Sequence, residues 1–228
     1  MDAKDSLAWV SYEGERQMCK RIWAALGTVL ILILATGCFV RSLHPLYTEQ
    51  DIVFEPGLVG RWNDDDEAVW AFSRGDGDNY DLIITDDEGN RDPFVAYLVR
   101  IEGNLFLDLL PGTTKLEGTE FYKSLFLPVH TFCHIKQIEP TLQMRAPDLD
   151  WLEKLLEENP KAIRHEKIQN EFTGPPAPEA EDPENVSRGK IQYEIILTAP
   201  TKDLQSFLIE HLHDKDAFGE PSDMKRLE

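Results

Sequence analysis

Cysteine is scarce in this chain: only Cys19, Cys38 and Cys133 occur in 228 residues. No Cys-x-x-Cys pair and no disulfide framework can be drawn from them, so the folded part must be held by its core. Basic residues are few as well, 23 against 42 acidic ones, for a net charge of −19. Such a surface offers no cation cluster to release counterions from nucleic acid, which excludes nucleic acid as a partner. Catalytic signatures are missing too. The chain has no Gly-x-Ser-x-Gly elbow, no phosphate-binding loop and no dinucleotide fingerprint. It indicates no cofactor and points away from an enzyme. Long apolar runs are limited to one, Ile22 to Val40, preceded by Lys20 and Arg21.

That run closes on Ala35-Thr36-Gly37-Cys38. A basic pair, an apolar stretch and a small-residue ending together describe a secretory signal. The tetrapeptide resembles the lipobox of bacterial lipoproteins. That resemblance implies that Cys38 is diacylated on sulfur, that the signal is cut just before it, and that the new amine receives a further acyl chain such as palmitate. The membrane is then a partner through an N-terminal lipid anchor, and the domain lies in the periplasm of a bacterial envelope. Phe39 stands where an Asp often marks inner-membrane retention, which favours the outer membrane. An uncleaved spanning helix is the alternative, because Ile22 to Val40 is just long enough to cross a bilayer. The four basic and four acidic groups before Cys38 cancel, so the whole charge excess belongs to the exported part. Residues 1–17 do not resemble a basic signal start, and Met18 reads as the true one. The expected organisation is an extension and signal over 1–37, a lipidated Cys and tether over 38–56, and a single β domain over 57–228.

Within the domain, period-two alternation marks strands. Trp70 and Phe72 alternate with Val69 and Ala71, Tyr80, Leu82 and Ile84 with their neighbours, and Leu105, Leu107 and Leu109 with Phe106 and Asp108. Val95 to Ile101 fits between as another strand. The turn segments Gly75 to Asn79, Asp86 to Asn90 and Glu102-Gly103-Asn104 supply residues that tolerate positive φ, so these strands form antiparallel hairpins. Thr131 to Ile138 and Thr141 to Ala146 make a further hairpin across Glu139-Pro140. Then a helix is expected from Asp148 or Asp150 to Glu158, a strand at Gln192 to Thr198 and a second helix at Thr201 to His213. The Pro-rich acidic stretch 174–188 reads as a disordered loop. The fold class is therefore mainly β: an antiparallel barrel or barrel-like meander of about eight strands with two peripheral amphipathic helices, since closure removes exposed edges.

Leu58-Val59-Gly60-Arg61-Trp62 resembles the Gly-x-Trp motif of lipocalin-like barrels. The resemblance implies that Gly60 and Trp62 close the barrel bottom, beneath an Arg from the last strand; the expected last strand, Gln192 to Thr198, has no Arg. Trp70 joins Gly60 and Trp62 as a candidate for ligand binding or closure. His44-Pro45-Leu46-Tyr47-Thr48, with Gly-x-Trp behind it, also resembles uncharacterised bacterial lipoproteins, a kinship that carries no activity with it.

Two functions follow: a hollow barrel holding a small apolar ligand, or a filled one acting as a non-catalytic accessory that docks an envelope protein. A weaker alternative is a metal-dependent enzyme at His130, Cys133 and His134, the densest group of soft donors. On a strand Cys133 points away from His134, and His130 lies about 13 Å from His134. A buried thiol and two ordinary histidines account for them better, and no metal site is assigned.

Overall fold

A computed structural model describes residues 39–64, 68–112, 119–169 and 193–227. The expectations for the signal, for Cys38 and for the loop at 174–188 lie outside the described residues. The elements are β1 (Arg41–Ser42), β2 (Gly60–Asn63), β3 (Val69–Arg74), β4 (Tyr80–Thr85), β5 (Arg91–Ile101), β6 (Asn104–Pro111), α1 (Glu120–Lys123), β7 (Thr131–Gln137), β8 (Thr141–Arg145), α2 (Leu149–Glu158), β9 (His165–Gln169), β10 (Tyr193–Leu197), α3 (Thr201–Glu210) and β11 (Ser222–Leu227).

Eight strands close a barrel in the order β11-β2-β3-β4-β5-β6-β7-β8, every pairing antiparallel. Local chemistry builds most of it. At the β5–β6 turn Glu102 and Gly103 both take positive φ, 49° and 86°, the backbone that a tight hairpin with right-handed twist requires. Asp86 caps its own turn by accepting from the Asn90 backbone N–H at 2.8 Å. The two ten-residue helices also form where the pattern places them. The Asp148 carboxylate accepts from the Trp151 N–H at 2.8 Å, the N-cap bond that satisfies one orphan donor of α2.

The closing strand is a correction. Gln192 to Thr198 does contain a strand, but β10 belongs to a separate three-stranded sheet, β1-β10-β9. The barrel closes instead with β11, whose Arg226 pairs with Trp62 and whose Met224 pairs with Leu142. The segment after Cys38 is not a tether either. Val40 and Leu46 are buried, β1 pairs with β10, and Ser42 bridges to His130.

Two cores result. One is the barrel interior, where Leu58, Trp62, Leu82, Leu98, Leu107 and Leu142 pack. The other lies on the outer wall of β5, β6 and β7, where Val99, Phe106 and Phe132 are covered by α2, α3, the small sheet and the Val40 to Leu46 segment. These three strands are buried on both faces, which is why Leu105-Phe106-Leu107 is apolar without interruption.

Candidate functional site

A hollow barrel would hold a ligand in its interior. A side chain lining a void wide enough for water shows accessible surface to that void. Trp62, Tyr80, Leu82, Leu98, Leu107 and Leu142 are 0% exposed. The interior around them is filled by its own side chains, at a gain of roughly 1.5–3 kcal/mol for each large apolar residue buried. Ile84 and Leu105, expected to line the interior, pack against this cluster and are partly buried.

The end where β2 begins and β11 finishes is plugged. Trp62 is buried, with its indole N–H donated to the Leu58 carbonyl at 2.9 Å. The Arg226 guanidinium lies 4.5 Å above the Trp62 ring and donates to the carbonyls of Val59 and Gly57 and to the Glu139 carboxylate. Gly60 has φ 145°, and a Cβ there would meet Arg226 Nη1 at 2.6 Å. Only glycine suits both that backbone and the close approach. Beside it Tyr80 stacks on Phe54 at 4.9 Å, and its hydroxyl both accepts from the Glu55 N–H and donates to the Glu55 carbonyl. Burial raises the Tyr80 pKa. Trp70, Ile84 and Phe94 are partly buried and pack against the interior cluster. Trp70 pairs directly with Trp62 across β2 and β3. The structure thus sets Gly60 and Trp62 under Arg226 and Trp70 beside Trp62 on the neighbouring strand.

His130, Cys133 and His134 do not converge. Cys133 packs in the interior, where burial pushes its thiol up to about 12, so at neutral pH it is neither nucleophile nor thiolate ligand. His134 faces the outer core against Phe106 and Phe218. Burial first, then the charges of Arg145, Lys136 and His213, push its pKa down to about 4. Arg145 donates from Nε to His134 Nδ1 at 3.3 Å, donates from Nη2 to the Leu212 carbonyl at 2.9 Å, and lies 4.8 Å from the Phe218 ring centroid. No group of three or more metal-ligating side chains occurs among the described residues.

The sequence reading missed a buried Asp–His hydrogen bond. Asp108, fully buried on the outer face of β6, holds His130 Nδ1 at 2.7 Å through one oxygen and accepts the Leu46 N–H at 2.7 Å through the other. Around this pair the 44–48 stretch is tied down by side chains. Thr201 donates to the Pro45 carbonyl, and Gln205 donates to the Leu46 carbonyl and the Asp51 carboxylate, each within 2.9 Å. Burial raises the Asp51 carboxyl, but bonds from Thr48 and Gln205 outweigh it and hold the pKa below the ordinary value. Tyr47 lies 4.3 Å from Tyr97, and burial with that neighbour raises its pKa. An Asp–His pair suits general-base chemistry when a nucleophile adjoins it. Here the oxygens of Asp108 are spent on His130 and on a backbone N–H, and Ser42 Oγ is engaged with both the N–H and the carbonyl of His44. The arrangement positions chain rather than substrate. Its only sequence signal was an Asp among leucines, which also fits the wet face of an alternating strand.

An open cleft of about 430 Å³ lies by the start of α2, lined by Asp148, Asp150, Trp151, Lys154, Asp216 and Glu220 among others. Its acids show no metal-ligating grouping among the described residues, and Asp148 serves the helix. Searches against protein families, curated proteins and solved structures find no match to this chain.

Proposed function

We propose that this chain is an exported, lipid-anchored protein of the bacterial envelope, a non-catalytic accessory component that works through its outer surface. The filled interior is the observation that carries the second half of this reading. With Trp62, Leu82, Leu98 and Leu107 showing no accessible surface, the barrel acts as a solid support. Its plugged end, with Arg226 over Trp62, supports the lipocalin-like resemblance and a closure role for Gly60 and Trp62. The order Lys20-Arg21, apolar run and Thr36-Gly37-Cys38 supports the anchor. A barrel of this kind is also compatible with a small apolar ligand, which is the alternative reading.

Mass spectrometry of membrane-extracted protein tests the anchor. The expected species begins at an acylated Cys38; an intact N-terminus, or a Cys38→Ser protein still cut and equally membrane-bound, overturns it. Titration with an apolar fluorescent probe tests the filled barrel. The expected result is no saturable site, whereas stoichiometric binding with a change in tryptophan emission restores the ligand reading.

A further inference from the structure

Among the described residues, the largest exposed apolar feature is the segment that leads into β7. Phe121, Leu125, Phe126 and Leu127 are 76%, 68%, 50% and 70% exposed, four large apolar side chains within seven residues. The segment is ordered by its own bonds: Lys123 N–H donates to the Thr119 carbonyl, Phe126 N–H to the Lys123 carbonyl, and Ser124 Oγ to the Phe121 carbonyl. Exposed apolar clusters of this kind mark contact surfaces.

What covers it follows from where the chain leads. Thr131 Oγ1 donates to the Val40 carbonyl at 3.0 Å, and Ser42 and His130 exchange backbone hydrogen bonds at 2.9 and 2.8 Å. The first residues after Cys38 are therefore fastened to the start of the very strand that the apolar segment feeds. Four Cα-to-Cα steps lead from Leu127 to Thr131, a reach of at most about 14 Å, and Val40 follows Cys38 by two peptide bonds. With the 3.0 Å bond between Thr131 and Val40 included, an anchor at Cys38 lies within about 25 Å of Leu127. Phe39, the first described residue, is itself exposed.

Charge points the same way. Across a chain of 42 acids, residues 16–48 contain none and residues 121–138 contain none, and these two stretches are the ones that pair. Arg41, Lys123 and Lys136 lie within them, with Arg41 bridged to Glu194 at 2.8 Å. Elsewhere the acidic surface is repelled by anionic head groups; here it is interrupted where the anchor enters.

We propose that Phe121, Leu125, Phe126 and Leu127 dip into the same leaflet as the N-terminal anchor and form a second membrane contact that fixes the domain's orientation. This rests on the anchored reading above. Apolar side chains on such an interfacial segment reach roughly 5–10 Å into the boundary between head groups and acyl chains.

The test uses the full chain carrying Leu127→Cys, labelled with a polarity-sensitive thiol dye and reconstituted into vesicles of phosphatidylethanolamine and phosphatidylglycerol. Unsubstituted protein sets the background from Cys133 and, on any uncut chain, from Cys19 and Cys38; Leu125→Cys repeats the measurement, and Asp76→Cys at the opposite end is the aqueous control. The expected result is a blue shift at positions 127 and 125, quenching by spin-labelled lipid and protection from iodide, with none of these at 76. A label at 127 and 125 open to iodide overturns the proposal. So does one shielded from iodide but untouched by spin-labelled lipid, which means that protein covers the segment. The mass of the same sample reads the lipid anchor separately. A lipid-buried label on an uncut chain keeps the contact and discards the lipoprotein reading, while a water-exposed label on an acylated chain does the reverse.

Discussion

Leu107 and Asp108 are neighbours in β6, and they face two differently made cores. Inside the barrel, Leu107 meets Cys133 and Leu98 across adjacent strands, and the packing is almost all hydrocarbon. Outside, Asp108 meets His130 and the Leu46 N–H, in a layer that also buries His134 beside Arg145. The interior is assembled largely from hairpins whose partners are close in sequence, and it has little need of directional bonds. The outer layer gathers residues 40–52, 146–163 and 195–218 onto a finished wall. There, buried polar groups set which segment lies where, because a misplaced one would be left unpaired.

Asp108→Ala and Leu107→Ala probe that contrast one residue apart. Each should cost roughly 3–5 kcal/mol in denaturant unfolding, the first by stranding a buried His and N–H, the second by leaving a cavity. They should separate under limited proteolysis: only Asp108→Ala should open the 43–50 stretch to cleavage in the native state. Equal protection in both variants would mean that Asp108 does not hold that stretch.

A pH series distinguishes the two cores next. His134 is near 6.5 when unfolded and about 4 when folded, so between those values the unfolded chain binds the extra proton. Stability is then fully present above pH 6.5 and falls as pH drops toward 4, by about 2–3 kcal/mol. His134→Gln should flatten that slope, whereas interior substitutions such as Leu107→Ala should leave it in place.

A smaller effect is expected from Leu107→Trp. In a filled barrel it should overpack and cost about 1–3 kcal/mol. A variant as stable as the parent would reveal hidden room and reopen the ligand reading. Least of all, Arg226→Ala should lose about 1 kcal/mol, because its cation–π contact and hydrogen bonds sit at a half-wet end. The accompanying change in Trp62 emission should be easier to see than the loss of stability.

Legibility in sequence followed the same division. Hairpins could be read because Glu102-Gly103 and Asp86 to Asn90 encode their turns within a few residues. The α2 cap at Asp148 was readable for the same reason. β11 was not, because Ser222-Asp-Met-Lys-Arg-Leu carries one inward apolar residue, Met224, and its inward Arg226 reads as solvent-facing until Trp62 is set beneath it. The Asp108–His130 pair was hidden by distance along the chain, and its third partner, Leu46, lies 62 residues from Asp108. An available clue went unused. The unbroken apolar run Leu105-Phe106-Leu107 signals a strand covered on both sides, and therefore an outer layer needing its own apolar and polar partners.

The seam between β2 and β11 has a consequence in time. Arg226 reaches back 167 residues to the Val59 carbonyl, so a chain emerging N-terminus first presents every other barrel strand before the last one arrives. Until then the sheet has two open edges, at β2 and β8, and no stacked guanidinium over Trp62. Ring closure is thus a late, high-contact-order event, slow by the entropy of joining distant ends. The cylinder therefore cannot lock before its final strand is free, and it stays open for as long as the chain is being made.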